Sequence, residues 1–168
     1  MSLKFALSAA VLAAATVAAP VVAHASDAAV GLFLACYQVG GTMPGAPMVN
    51  LHLAVNTPAQ AVNGSGQITQ ATNPPLNEAS NVSGGYSVMT VMPSNTHIQV
   101  RLTGYPPVNW PPQAGIGPVI PANLDMIMVL SKDWKSGDAQ YQYRTGLASD
   151  WIKIASAPVK QVTCNQPK

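Results

Sequence analysis

Few side chains in this sequence have the chemistry of a catalytic or metal site, and those few are dispersed. Beyond the N-terminal segment the histidines are His52 and His97, and the six Asp and Glu residues are scattered. Two imidazoles without an acid cluster make a poor metal site. Asp133 and Asp138 flank a turn, which explains them better than acid–base work. With no nucleophile elbow, phosphate loop or zinc-protease helix, we expect no catalytic residue, metal or cofactor.

Cys36 and Cys164 are the only cysteines of the chain and lie near its two ends. A bridge between them would close a loop of about 130 residues, for which chain-entropy arithmetic gives about 4–5 kcal/mol at most. A reactive thiol or a metal pair is the alternative, but the sequence shows no nearby His or acid to support it. We therefore predict a structural disulfide.

Aromatic and amide side chains in two loops are the candidates for ligand binding. Residues 105–121 form a seventeen-residue segment with six prolines, and loops beyond about 12–15 residues are often functional. This segment carries Tyr105, Asn109 and Trp110, and a second loop carries Trp134. Rings can cover the apolar face of a sugar or peptide while amides bond to its polar groups. The alternative is that the tryptophans are plugs packed against the ends of the fold.

The N-terminal residues are typical of an export signal. One lysine precedes an apolar run over residues 5–19, and the Ala-His-Ala triplet at residues 23–25 has the small-x-small pattern of a signal-peptidase site. The run is shorter than the roughly 20 residues that cross a bilayer, and no later segment is long and apolar enough. We predict a signal peptide over residues 1–25 and one mature domain over residues 26–168, periplasmic or secreted in a bacterium. An uncleaved anchor is the alternative.

The mature chain is nearly neutral, with seven Lys and Arg against six Asp and Glu. Such a balance gives no electrostatic footprint for nucleic acid or anionic lipid. The polar surface must come mostly from Asn, Gln, Ser, Thr and Gly. It suits neutral polar ligands or self-association, although an exported protein with few charges is the simplest interpretation.

Alternation of apolar and polar residues at period two predicts an all-β fold. The run over residues 30–39 is apolar on both faces, which is typical of a doubly covered strand. Gly64 and Gly66 suggest a bulge. We expect an antiparallel β-sandwich of eight to nine strands, because the disulfide would then link the terminal strands. The predicted strands are residues 30–39, 49–55, 62–72, 82–92, 98–103, 124–130, 140–143, 152–154 and 159–164.

Six sequence blocks resemble those of a small bacterial family described only as a domain of unknown function. The blocks are Val30-Gly31-Leu32-Phe33-Leu34, Val55-Asn56-Thr57-Pro58, Ile68-Thr69-Gln70-Ala71 with Asn73-Pro74-Pro75-Leu76, Leu102-Thr103-Gly104-Tyr105-Pro106, Gly117-Pro118-Val119-Ile120-Pro121 and Asp133-Trp134-Lys135-Ser136-Gly137. The resemblance covers about residues 30–160. It implies a compact domain, of which this chain is an exported, disulfide-linked variant, and it implies no catalytic residue.

Three functions fit these observations. The first is a non-catalytic binding module for a glycan, a peptide or an envelope protein, acting through the loops around Trp110 and Trp134. The second is a self-associating structural or assembly protein, a homo-oligomer, since strand edges of low charge pair with other chains. The third is an enzyme, which a fold alone does not exclude.

Overall fold

The computed structural model describes residues 31–91, 95–108, 119–146 and 149–164. Each strand is antiparallel to the next, and the last pairs with the first, so the strands form one closed barrel in chain order. The predicted all-β, antiparallel fold is confirmed. The described parts of the chain contain no helix with the length and hydropathy that a bilayer crossing requires. The strands are β1 (Leu32–Gly40), β2 (Met48–Asn56), β3 (Ala61–Gln70), β4 (Leu76–Val91), β5 (Asn95–Tyr105), β6 (Leu124–Ser131), β7 (Ser136–Tyr143) and β8 (Ile152–Val162).

The predicted sandwich is wrong, because the terminal strands are hydrogen-bonded neighbours. Cys36 of β1 lies opposite Val162 of β8, and the pairing continues to Val39 opposite Val159. The disulfide does link the terminal strands, with 5.3 Å between the two cysteine Cα atoms. That link is equally compatible with a barrel, since closure also makes the first and last strands adjacent.

The structure has eight strands, within the predicted eight to nine, and residues 152–154 and 159–164 belong largely to one strand, β8. Its register against β7 shifts between Ala139 and Tyr141, which leaves one extra residue in β8. The bulge predicted at Gly64 and Gly66 is absent, since β3 pairs with both neighbours without a register shift. Gly64 has another role: a Cβ there would collide with the backbone oxygen of His52.

Inward-facing side chains from all eight strands fill the barrel. The largest that are fully buried include Tyr37, Tyr143, Leu51, Leu53, Ile68, Leu102, Leu124, Met126, Met128 and Leu130. A barrel strand has one face on the core and the other on solvent. The predicted double coverage of residues 30–39 is therefore wrong: the outward side chains of Leu32 and Leu34 are 74% and 64% exposed.

The strand order defines two ends of the barrel. One end, here the tryptophan end, carries residues 57–60, the 132–135 turn and the end of β8. The opposite end, here the loop end, carries the β1–β2, β3–β4, β5–β6 and β7–β8 connections. Because successive strands run in opposite directions, the connections alternate between these ends, and this decides which candidate residues can meet.

Candidate functional site

Trp134 closes the tryptophan end of the barrel. Its side chain is 7% exposed and makes edge-on contacts with Phe33 and Tyr86, at ring-centroid distances of 5.3 and 5.2 Å. Its carbonyl oxygen accepts a 3.0 Å hydrogen bond from the buried Tyr37 hydroxyl. The residue has φ of +61°, a conformation that few non-glycine residues adopt. These contacts favour the interpretation of Trp134 as a packed plug over its interpretation as a ligand-binding residue.

The turn that holds Trp134 is organised by short polar bonds. The Asp133 carboxylate accepts hydrogen bonds from the Ser131 hydroxyl and from the Lys135 backbone N–H. These bonds, with the first the stronger cause, lower the pKa of Asp133 below its usual value. The backbone N–H of Trp134 donates to the Ser131 carbonyl at 2.9 Å. The interpretation of Asp133 as a turn residue agrees with this geometry.

Tyr105 lies at the loop end, as the last residue of β5, and its side chain is 44% exposed. Asn109 and Trp110 lie outside the described residues. Tyr105 and Trp134 occupy opposite ends of the barrel, so the structure does not bring these two candidates together. Of the two candidate aromatic residues that the structure describes, only Tyr105 offers substantial ring surface to a ligand.

Tyr105 belongs to an uncharged row that crosses four neighbouring strands. It lies opposite Asn81, which lies opposite Ser65, which lies opposite His52. A parallel row contains Thr103, Ser83 and Asn63 in the same strand order. All of these positions face outward and are exposed, apart from the half-buried Thr103. We call this surface the polar wall: His52, Asn63, Ser65, Asn81, Ser83, Thr103 and Tyr105.

The chemistry of the polar wall is that of neutral recognition. Strands lie about 4.8 Å apart, so the row from β2 to β5 spans roughly 14 Å. Amides and hydroxyls both donate and accept hydrogen bonds, and the Tyr105 ring offers an apolar face. Charged side chains lie next to the wall: Asp125 is opposite Thr103, and Arg101 is opposite Gly85.

A buried amide holds the strand ends next to Tyr105. The Asn123 side chain is 5% exposed; its oxygen accepts a 2.9 Å hydrogen bond from the Ser80 hydroxyl, and its nitrogen donates to the Ala79 carbonyl at 3.2 Å. Its backbone N–H donates to the Gly104 carbonyl at 2.9 Å. These bonds tie the end of β5 to β4 and so fix Tyr105 beside Asn81. Sequence reasoning missed Asn123, whose burial no local pattern indicates.

His52 is the other residue whose setting the sequence did not predict. The β1–β2 register places His52 opposite Cys36, and its Nδ1 atom lies 3.4 Å from the Cys36 sulfur. The predicted disulfide between Cys36 and Cys164 is confirmed. His52 and both cysteines line a shallow depression of about 240 Å³ on the outer face, with no Asp or Glu among its lining residues. The order of β1 and β2 in the chain indicates that these strands pair, but alternation alone does not fix the register that brings His52 opposite Cys36.

The fold and the wall define the class of protein: a small antiparallel barrel domain with one polar patch without Lys, Arg, Asp or Glu on its outer surface. Residues 30–151 match the family described as a domain of unknown function, DUF1842, and the chain belongs to that family. The resemblance seen in the sequence is thereby confirmed, and Cys164 lies beyond the matched residues. Comparison with curated proteins gives no match.

Proposed function

We propose that this domain is an exported, non-catalytic binding module that holds a neutral glycan on the polar wall. The observation that carries the proposal is the exposed Tyr105 ring in register with Asn81 and Ser65. An aromatic face beside uncharged amides and hydroxyls complements a ligand that has apolar ring faces and many hydroxyl groups. Asn109 and Trp110, which follow Tyr105 in the chain, are proposed to extend this site.

A glycan fits the wall better than an extended peptide. Peptides that bind to sheets commonly add as a strand, through free backbone N–H and C=O groups at an edge. Strands β2, β3, β4 and β5 each pair with a neighbour on both sides, so the wall offers side chains and no free edge. Recognition there depends on rings, amides and hydroxyls.

The test is a glycan array on the mature chain, followed by calorimetry with the best glycan found. Tyr105→Ala should weaken binding about 10- to 30-fold, the effect of losing a central aromatic contact. Its free energy of unfolding should fall by much less than the roughly 3–5 kcal/mol typical of a fully buried aromatic residue, because Tyr105 is 44% exposed. Val129→Ala is the matched control, an exposed apolar residue of β6 outside the wall. Equal affinities of the two variants, or parallel loss of binding and stability in Tyr105→Ala, would contradict the proposal.

Export and cleavage are part of this proposal. We expect the protein recovered from the periplasm or medium of a producing bacterium to begin at Ser26. Intact-mass measurement checks this, since removal of residues 1–25 changes the mass by a known amount. Full-length chain retained in the membrane fraction would support the uncleaved anchor instead.

Self-association is a second candidate, favoured by one feature of β1. Pairing with β8 covers only Cys36 to Val39, so among the described residues the segment from Leu32 to Ala35 has no partner on that side. Leu32 and Leu34 are also largely exposed there. Light scattering coupled to size-exclusion chromatography tests it: a concentration-dependent mass that Leu34→Lys abolishes supports pairing through this edge, and a monomer at all concentrations removes it.

A further inference from the structure

The depression around the disulfide contains three side chains with metal-binding chemistry. His52 Nδ1 lies 3.4 Å from the Cys36 sulfur, and Cys164 is bonded to that sulfur. In the oxidised state, no group of three His, Cys, Asp or Glu within the described residues is arranged to hold a metal. Breaking the disulfide changes this, because each sulfur then becomes a potential thiolate ligand.

We propose that reduction of the Cys36–Cys164 disulfide creates a zinc-type site whose ligands are the two thiolates and the His52 imidazole. Two thiolates and one imidazole form a recognised ligand set for a borderline-soft cation such as Zn²⁺, with a fourth position left to water or a ligand. The depression is open to solvent, so this fourth position is accessible.

The existing geometry is close to what a tetrahedral ion requires. Zn–S and Zn–N bonds of about 2.3 and 2.0 Å at tetrahedral angles place sulfur and nitrogen about 3.5 Å apart. The observed separation of 3.4 Å between Cys36 Sγ and His52 Nδ1 already matches this sulfur–nitrogen distance. The remaining adjustment is movement of the second sulfur to about 3.8 Å from the first.

Of the three ligands, Cys164 is the one that can move, because it lies outside the strands. Cys36 lies within β1, paired with β2 on one side and β8 on the other, and His52 lies within β2, paired with β1 and β3. Cys164 follows the end of β8 at Val162 and lies outside any strand. Two ligands are therefore fixed by the sheet, and the third can close on the ion.

The site would form in two steps, reduction of the disulfide and binding of the metal ion. A dithiol reductant transfers two electrons and two protons to the disulfide, which leaves two thiols while the reductant itself becomes a disulfide. Zn²⁺ then displaces the two thiol protons and binds the unprotonated Nδ1 of His52. The site would form only where such a dithiol is present, so its occupancy would report the redox state around the protein.

The experiment uses the mature chain, reduced with a dithiol and desalted under nitrogen, and titrated with Zn²⁺ by calorimetry. One Zn²⁺ should bind per reduced chain and none per oxidised chain. His52→Ala should weaken binding at least as much as the loss of an outer-shell partner does, about 10- to 100-fold. His97→Ala is the matched control, a histidine on β5 that should leave the affinity unchanged. Co²⁺ as a second probe should give thiolate-to-metal absorption of tetrahedral character in the reduced wild type.

Circular dichroism separates metal binding from unfolding. If the reduced chain stays folded, absence of zinc binding overturns the proposal. If reduction unfolds it, stoichiometric Zn²⁺ should restore the strand signal, and failure to do so also overturns it. Equal zinc affinity of His52→Ala and wild type would mean that a bare thiol pair binds the ion, which contradicts the assignment of His52.

Discussion

Replacement of Trp134 distinguishes a packed plug from a ligand contact. The ring is 7% exposed and contacts Phe33 and Tyr86 edge-on. Truncating a buried tryptophan to alanine costs about 3–5 kcal/mol, of which each aromatic pair accounts for about 0.5–1.5 kcal/mol. We expect Trp134→Ala to lower the free energy of unfolding by about 3–5 kcal/mol, while binding through Tyr105 at the opposite end is retained in the folded fraction.

The backbone of Trp134 adds a second, sharper expectation. Its φ of +61° costs an L-residue about 1–2 kcal/mol, a cost that glycine avoids. Trp134→Gly should therefore be more stable than Trp134→Ala by about 1 kcal/mol, although it removes more atoms. In an ordinary strand or helix the order is reversed. Both variants keep the backbone hydrogen bonds to Ser131 and Tyr37.

Urea unfolding followed by far-UV circular dichroism measures these differences without using tryptophan fluorescence. A double-mutant cycle with Phe33→Leu should give a coupling of about 0.5–1.5 kcal/mol. A loss below about 1 kcal/mol in Trp134→Ala would refute the packing argument. Lower stability of Trp134→Gly than of Trp134→Ala would refute the backbone argument.

Three further predictions concern tight backbone packing, a buried hydrogen-bonded amide and the ionisation of a buried tyrosine. Gly84→Ala should destabilise by at least the 1–3 kcal/mol of overpacking, because its Cβ would collide with the backbone oxygen of Arg101, whereas Gly146→Ala, with open space around it, should be near neutral in urea unfolding. Asn123→Ala should cost about 1–3 kcal/mol, measured the same way, because it leaves buried partners unsatisfied. Burial, with a smaller effect of Tyr143, raises the pKa of Tyr141 to about 12, so the stability that its neutral form contributes is complete below pH about 10 and is lost as the pH rises towards 12. Tyr141→Phe should reduce this alkaline loss of stability, to which the raised pKa values of Tyr37 and Tyr143 also contribute, and an unchanged pH dependence would contradict the prediction.

The alternation of apolar and polar residues made the strands and their inward faces predictable. The buried residues Val49, Leu51, Leu53 and Val55 of β2 alternate as the sequence indicates, and those of β6 do the same. The rule is local, because successive side chains of a strand point to opposite faces whatever the strand pairs with. The disulfide was predictable for a similarly simple reason, since the chain has only two cysteines.

The arrangement of the candidate site depended on pairing between distant segments. Tyr105 and Trp134 have the same kind of sequence signal, an aromatic residue in or beside a loop, yet one is exposed and the other is buried at the opposite end. Their settings differ because β5 ends at the loop end, whereas the turn between β6 and β7 lies at the tryptophan end and packs its ring against the core. The contact between His52 and Cys36 likewise depends on the β1–β2 register, which periodicity alone leaves free by steps of two residues.

From the sequence alone follow the all-β class, the inward face of most strands, the cysteine pair and the resemblance to its family, because each depends on residue type and short-range order. Only the tertiary structure decided that the sheet closes into a barrel, that the polar wall forms beside Tyr105, and that His52 lies against the disulfide. Closure requires hydrogen bonds between β1 and β8, two strands at opposite ends of the chain. An alternating pattern is satisfied equally by a sandwich and by a barrel, so the choice is made by long-range pairing.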